Sequence, residues 1–220
     1  MPHITLNTTP SQTIAVQNIF CIGRNYAAHI AELGNKPAED PVVFLKPTSA
    51  LNTSDVIRLP SHSSDVHYET ELVVLIGQGG KNISEDSAVR HVAGVGIGLD
   101  LTARDIQSKA KAAGLPWAVA KGFDDSATVS AFYPVSPGVH FDKMTFSMRL
   151  NGAVKQQGHV ANMLYNVPTL IAHLSRMFTL QAGDLIFTGT PEGVGPLTPG
   201  DELSMELTGV CVHAVSALVP

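Results

Sequence analysis

A chain of 220 residues with 14 prolines and 19 glycines has the length of one sizeable domain and the punctuation of many short segments joined by tight turns. Its 44% apolar and 15% charged residues, with a formal charge of −5, exclude a disordered protein and the basic excess of a nucleic-acid binder. No run of about eighteen uncharged apolar residues occurs, and no basic segment precedes an apolar one at the N-terminus, so we expect a cytoplasmic protein with no membrane partner.

In chain order, Ile19–Ile22 reads as a strand, and Tyr26–Leu33 as a helix-compatible run that Gly34 and Asn35 terminate. The apolar VVFLK segment after Pro41 predicts a strand stopped by Pro47, and Asp55–Leu59 a short strand halted by Pro60. Val66–Ile76 predicts one long strand that begins polar and ends apolar. A helix over Glu85–Val92 follows Ser84, and VAGVGIGLDLT then reads as a strand whose glycines admit a close neighbour. Thr102–Ala113 predicts a helix closed by Gly114 and Pro116. Further on, Met144–Leu150 and Val154–Gln157 flank Asn151-Gly152, a strong hairpin signal. Pro168–Met177 has helical spacing, and Asp184–Thr188 and Glu202–Leu207 read as strands. Strands at irregular spacing do not alternate with helices as a doubly wound sheet requires, so the pattern predicts a mixed, β-rich α+β domain with a few short helices.

Cys21 and Cys211 are too few for a disulfide framework or a thiolate zinc site, so any metal must use other ligands. In the segment from Val66 to Leu72, a period of two puts His67, Glu69 and Glu71 on one face. Two carboxylates leading into the apolar LVVLI repel one another and resist desolvation unless a cation or a proton compensates, although an exposed strand start would satisfy the spacing equally well. Asp100, closing the glycine-spaced VGIGLD strand, offers a third hard oxygen ligand. Oxygen-only ligation favours Mg²⁺ or Mn²⁺, with Ca²⁺ a further option. His67 reads more simply as a strand-end histidine bonded to nearby backbone than as a ligand.

His29 and Glu32 share a helix face, which outlines a general-base dyad, though a bare pair at this spacing is more commonly an ordinary surface pair. Arg104 and Gln107 would share a face of the following helix and could donate to a substrate carboxylate. Lys121, in a turn-rich passage, could stabilise developing negative charge or stay solvated. The loop Thr188–Pro196 has glycines that could turn backbone N–H groups and the Thr190 hydroxyl towards an anion, but it matches neither a P-loop nor a dinucleotide fingerprint. His159, His173 and His213 show no metal-ligand spacing.

Taken in order, IGRNYAAHIAELGN, PVVFLKPTSAL, VHYETELVVLIG, GLDLTARDIQ, PWAVAKGFD and AGDLIFTGTPEGVGPL resemble the fumarylacetoacetate hydrolase family, most closely its small acylpyruvate hydrolase branch. The likeness runs from about Ile19 to Leu207, leaving residues 1–18 as an N-terminal extension of one catalytic domain over residues 1–220. It implies a mixed β-sandwich or β-roll fold, a homodimer, and Mg²⁺ or Mn²⁺ held by Glu69, Glu71 and Asp100. By the same likeness His29 with Glu32 activates water, Lys121 stabilises an enolate, and Arg24, Arg104, Gln107 and Thr190 bind substrate. The implied reaction is hydrolysis of the C3–C4 bond of 2,4-dioxo acids such as acetylpyruvate or fumarylpyruvate, giving pyruvate and a carboxylic acid. Oxaloacetate decarboxylation, keto–enol isomerisation and hydration are alternatives on the same site, and a non-catalytic metal-binding interaction protein is an alternative of another class. Gly158–Met163 departs from the Thr-rich segment common in the family, and the passage after Lys121 lacks the Gly-Pro of some members.

Overall fold

Alternating apolar residues between glycine and proline breaks make most of the regular structure of this chain strand. The computed structural model describes residues 1–216 except 35, 37, 137 and 209, with the backbone alone over 211–216. The first strands are β1 (His3–Leu6), β2 (Gln12–Ala15), β3 (Ile19–Gly23), β4 (Val42–Lys46), β5 (Leu51–Asn52), β6 (Val66–Tyr68) and β7 (Thr70–Ile76). Then come β8 (Val92–Asp100), β9 (Thr102–Ala103), β10 (Ala127–Val129), β11 (Tyr133–Pro134), β12 (Thr145–Leu150) and β13 (Ala153–His159). The last are β14 (Leu185–Phe187), β15 (Gly195–Pro196), β16 (Glu202–Leu207) and β17 (Cys211–Ser216). Between them lie the helices α1 (Ala27–Glu32), α2 (Glu85–Ala88), α3 (Arg104–Ala113), α4 (Ala118–Lys121) and α5 (Val167–Met177).

The largest sheet runs β4-β3-β14-β7-β8-β10-β5, with β11 also paired to β8. Its two ends, β4 and β5, are separated in the chain only by Pro47–Ala50. Five residue steps reach at most about 18 Å, whereas seven strands laid flat would put the outer two roughly 28 Å apart. The sheet must therefore curl until its edges approach, which it does as a half-barrel. Strand alternation then sorts the core. Val73 and Leu75 of β7 pack inside the curl with Cys21, Leu185, Phe187 and Val129. Leu72, Val74 and Ile76 face outwards onto α5 and the β13-β12-β16-β17 sheet, with Leu170, Leu174, Met148 and Met205. The glycines of β8 leave room inside the curl: a Cβ on Gly98 would stand 2.8 Å from the Thr128 carbonyl oxygen and 2.9 Å from Val73.

The predicted α+β, β-rich class holds, and the hairpin turn has the positive φ at both positions that the Asn-Gly signal implies, 51° at Asn151 and 79° at Gly152. Two predicted strands divide. Val66–Ile76 breaks at Glu69, because β6 pairs with β15 and β9 while β7 pairs with β8 and β14. The VAGVGIGLDLT run breaks likewise at Leu101 between β8 and β9, so both chains leave the large sheet at one corner, where the Asp100 N–H donates to the Glu69 carbonyl at 2.8 Å. The helix predicted from Thr102 accordingly starts at Arg104, and Gly114, at φ 65°, ends it. Tyr26–Leu33 shortens to α1; Gly34 beyond it has φ 61°, and Asn35 lies outside the described residues. Glu85–Val92 is one α turn followed by a tighter 3₁₀ turn over Val89–His91.

Asp55–Leu59 is not a strand. The Asn52 side chain wraps this segment instead, accepting from the Ser54 N–H at 2.9 Å and donating to the Val56 carbonyl at 2.7 Å. Residues 1–18 are ordered by an antiparallel β1–β2 pair whose Ile4 and Leu6 plug the curl, tied to it by the Phe132 N–H donating to the Thr5 carbonyl. Cys21 is a buried free thiol, and the Cys211 and His213 side chains lie outside the described residues.

Candidate active and metal site

The corner where β6–β7 and β8–β9 leave the large sheet brings Glu69, Glu71 and Asp100 together, with one oxygen of each within 4.8 Å of the others. All three are buried, at 5%, 2% and 1% exposure. Such a cluster cannot stand in a protein interior without compensating charge, and three cations supply it. Lys121 at the end of α4 donates to Glu69 Oε2 at 2.8 Å and Asp100 Oδ2 at 2.7 Å. Arg104 at the start of α3 donates to Glu69 Oε1. Lys46 at the end of β4 lies 2.7 Å from Asp100 Oδ1 and donates to the carbonyls of Leu101, at 3.2 Å, and Lys121. The curl of the sheet is what carries Lys46 across to this corner.

The protonation tendencies diverge as the surroundings dictate. Burial alone would raise the Glu69 carboxyl, but the Lys121 and Arg104 cations outweigh it and hold Glu69 below its ordinary value. Among the described residues no cation contacts Glu71; burial, reinforced by the Asp100 and Glu69 charges, pushes it well above the ordinary value. Glu71 accepts from the Gly189 N–H at 2.7 Å. Burial lowers Lys121, yet Asp100 and Glu69 more than restore it and keep it a cation.

These residues fit a divalent cation. The donors are all hard oxygens, as Mg²⁺ and Mn²⁺ prefer. Asp100 Oδ1 is buried, with the Lys46 ammonium 2.7 Å away as its charge partner. A cation held here would answer the repulsion that Asp100 and Glu69 exert on Glu71.

Beside the carboxylates, α1 presents His29, whose Nδ1 is 3.1 Å from Glu32 Oε2; His29 is buried and Glu32 partly exposed. Glu32 is itself fixed, because its other oxygen accepts from the Gly193 N–H at 3.0 Å. The glycine loop after β14 therefore turns two N–H groups onto the protein's own carboxylates, Glu71 and Glu32. Gly189 does so at φ 102°, with a Cβ there falling 2.7 Å from Asn25, so a side chain is excluded on both counts. Thr190 is buried in the same loop; its hydroxyl donates to the Thr70 carbonyl at 2.9 Å and accepts from Gln156 Nε2 at 2.8 Å.

One cavity gathers the rest. His29, Glu69, Arg104, Gln107 and Lys121 line it, with Arg24 and Lys111 towards one side and Phe44, Ile30 and Trp117 as apolar wall. Gln107 Oε1 accepts from Arg104 at 2.7 Å, so the two act as one unit on α3. Glu71 and Asp100 lie behind Glu69, and Thr190 stands outside the lining. His67 is not in the carboxylate cluster: its Nε2 pairs with Asp65 Oδ1 at 2.9 Å, a side chain rather than the expected backbone.

Three positioning residues and one lysine of the cavity wall escape a reading of the sequence. Lys46 is a lysine closing an apolar strand, a burial mismatch visible in VVFLKP. Asn25, 1% exposed, bonds Thr188 O, Tyr165 O and the Tyr165 N–H, fixing the start of α1 against the end of β14. Gln156 accepts from the Thr70 N–H between Glu69 and Glu71 and donates to Thr190 and Pro191. Lys111 has no distinguishing neighbour in sequence.

A model of the fumarylacetoacetate (FAA) hydrolase C-terminal domain matches residues 18–216. The oxaloacetate tautomerase of Escherichia coli (strain K12) is 44% identical over 196 residues, 88% of this chain and 90% of that protein. A mitochondrial oxaloacetate decarboxylase of Dictyostelium discoideum is 43% identical over the same shares. The crystal structure of fumarylpyruvate hydrolase from Pseudomonas aeruginosa in complex with Mn²⁺ and pyruvate is similar at a TM-score of 0.92 and 36% identity, covering 100% of this chain and 98% of that one. With its fold, its carboxylate corner and these likenesses in agreement, the chain belongs to the fumarylacetoacetate hydrolase family.

Proposed function

We propose that this protein is a divalent-metal-dependent enzyme of small 2-oxo acids, a single catalytic domain working as a cytoplasmic homodimer, and that its reaction is keto–enol tautomerisation of oxaloacetate. The observation that carries this reading is the buried His29–Glu32 pair opening on the same cavity as Glu69, in a chain 44% identical to an oxaloacetate tautomerase.

Glu69, Glu71 and Asp100 would hold Mg²⁺ or Mn²⁺, which when bound polarises a 2-oxo oxygen and lowers the cost of negative charge on it. The protein's own groups do the remainder. His29, oriented through Nδ1 by Glu32, uses its other ring nitrogen to take the C3 proton of the keto form and deliver it to the resulting enolate oxygen, or to run the same transfer in reverse. Arg104 and Gln107 donate to the substrate's first carboxylate. Lys121, kept cationic, sits where charge on the enolate oxygen develops. Thr190, through its bond to the Thr70 carbonyl, braces the backbone between Glu69 and Glu71.

A second reading is hydrolysis of the C3–C4 bond of acylpyruvates, favoured by the full-length likeness to fumarylpyruvate hydrolase. His29 would then deprotonate a water rather than C3. Following the enol absorbance of oxaloacetate with the Mg²⁺-loaded protein, alongside pyruvate release from oxaloacetate, acetylpyruvate and fumarylpyruvate, separates the readings. Rapid enol loss with slow pyruvate release supports tautomerisation. Pyruvate from an acylpyruvate, without acceleration of enol loss, assigns the hydrolase instead; pyruvate from oxaloacetate alone assigns a decarboxylase. Inactivity on all three favours a metal-binding protein without catalysis.

A further inference from the structure

The cavity carries more positive charge than the carboxylate cluster needs. Arg24, Arg104, Lys111 and Lys121 all line it. Arg104 and Lys121 are paired with Glu69. Among the described residues no carboxylate lies within 4.0 Å of Arg24 or Lys111. Among the described residues Arg24 reaches the Lys36 carbonyl alone, at 3.3 Å, and its buried Nε has no hydrogen-bond partner. Lys111 is half-buried with its ammonium 5.4 Å from the centre of the Trp117 ring. Burial, with Arg104 and Arg24 nearby, lowers its proton affinity from the ordinary lysine value. Two partly desolvated cations facing one cavity without a counter-charge are costly unless a ligand supplies it.

Their placement says which part of the ligand does so. Arg104, Gln107 and Lys111 fall at helix positions i, i+3 and i+7 of α3, a single row along one face. The row begins at Glu69, through Arg104, and runs outwards to Lys111 beside Trp117. Arg104 and Gln107 take the carboxylate next to the 2-oxo group, which leaves Lys111 one turn further out for a second.

We infer that Lys111, with Arg24 beside it, forms the receptor for the distal carboxylate of a 2-oxo dicarboxylate and sets the preference for dianions over monoanions. This rests on the 2-oxo acid reading above and deepens it to the residues that recognise the far end of the substrate.

Trp117 is the chain's sole tryptophan and lines the cavity beside Lys111, so its fluorescence reports occupancy without any turnover. The Mg²⁺-loaded protein is titrated with oxaloacetate and with 2-oxobutanoate, which has the same carbon chain but no distal carboxylate. The parent binds oxaloacetate at least about tenfold tighter, the scale of one charge-assisted hydrogen bond. In Lys111→Met that ratio falls to within about twofold while 2-oxobutanoate binding is unchanged, and Lys111→Arg retains the preference. Full discrimination in Lys111→Met overturns the inference and leaves the 2-oxo acid reading standing. Failure of the parent to bind either acid overturns both.

Discussion

His29 and Lys46 show how differently two buried basic side chains serve one site. His29 opens on the cavity, and Glu32 orients it, so its removal should affect chemistry and little else. His29→Ala is expected to lower turnover by about 10²- to 10⁴-fold, the usual span of general-base catalysis, while Mn²⁺ affinity stays within about twofold of the parent. Turnover within twofold of the parent would show that another group moves the proton. Lys46 is sealed from the cavity and compensates Asp100. Replacing it with methionine leaves part of that charge unanswered, and breaking a buried pair costs about 3 kcal/mol. Urea denaturation of metal-free Lys46→Met should show that loss, with Mn²⁺ affinity undiminished because a competing cation has left Asp100. A loss below about 1 kcal/mol would mean that Lys121 alone suffices.

The same two residues mark how far the sequence reaches at this scale. Glu69, Glu71 and Asp100 could be singled out because carboxylates beside apolar runs violate ordinary burial preferences. The conflict that Lys46 presents is just as great, but its partner is 54 positions along the chain, and only the curl of the sheet brings it to Asp100. Thr190 illustrates the converse: its loop drew attention through its glycines, whereas the N–H groups those glycines release serve Glu71 and Glu32.

At the scale of elements, local chemistry decided what was readable. Asn151-Gly152 specifies its turn without help, and Asn166 caps α5 by accepting from the Thr169 N–H at 3.0 Å. The breaks at Glu69 and Leu101 were invisible because each strand merely changes partners there while its side chains keep alternating. Asp55–Leu59 looked like a strand by composition, yet the Asn52 side chain offers its backbone a better local arrangement. One turn next to the hairpin permits a sharp test. Asp201 accepts from the Thr198 N–H at 2.7 Å, the Thr198 hydroxyl at 3.0 Å and Asn151 Nδ2 at 2.8 Å. Burial opposes ionisation, but these donors outweigh it and hold the carboxyl below its ordinary value of 3.8. A depressed acid stabilises the fold above its unfolded-state value and loses that contribution as pH falls through the folded one. Asp201→Asn should therefore cost about 1 kcal/mol at pH 7, with the gap to the parent closing as pH drops below about 4. A gap that stays constant with pH would assign the effect to shape rather than charge.

Across the whole molecule, the fold explains why one corner can carry so much charge. A half-barrel closed by the four residues between β4 and β5 draws Lys46, Arg104 and Lys121 from three separate elements around three carboxylates. These cations compensate Glu69 and Asp100, and Glu71 is left without one of its own. Adding a divalent cation makes the corner net positive, and Arg24 and Lys111 extend that field into the cavity, so an anionic substrate is what the electrostatics favour. The family resemblance made the architecture and the carboxylate set readable from the chain. The electrostatic closure was not, because it depends on residues spread from position 24 to position 121. The account depends on the three carboxylates acting as one binding centre, and a Mn²⁺ titration followed by electron paramagnetic resonance addresses that directly. It predicts one tightly bound Mn²⁺ per chain in the parent and none in Glu71→Gln, a neutral replacement of nearly the same shape. Undiminished binding in Glu71→Gln, or no tight binding in the parent, would contradict it.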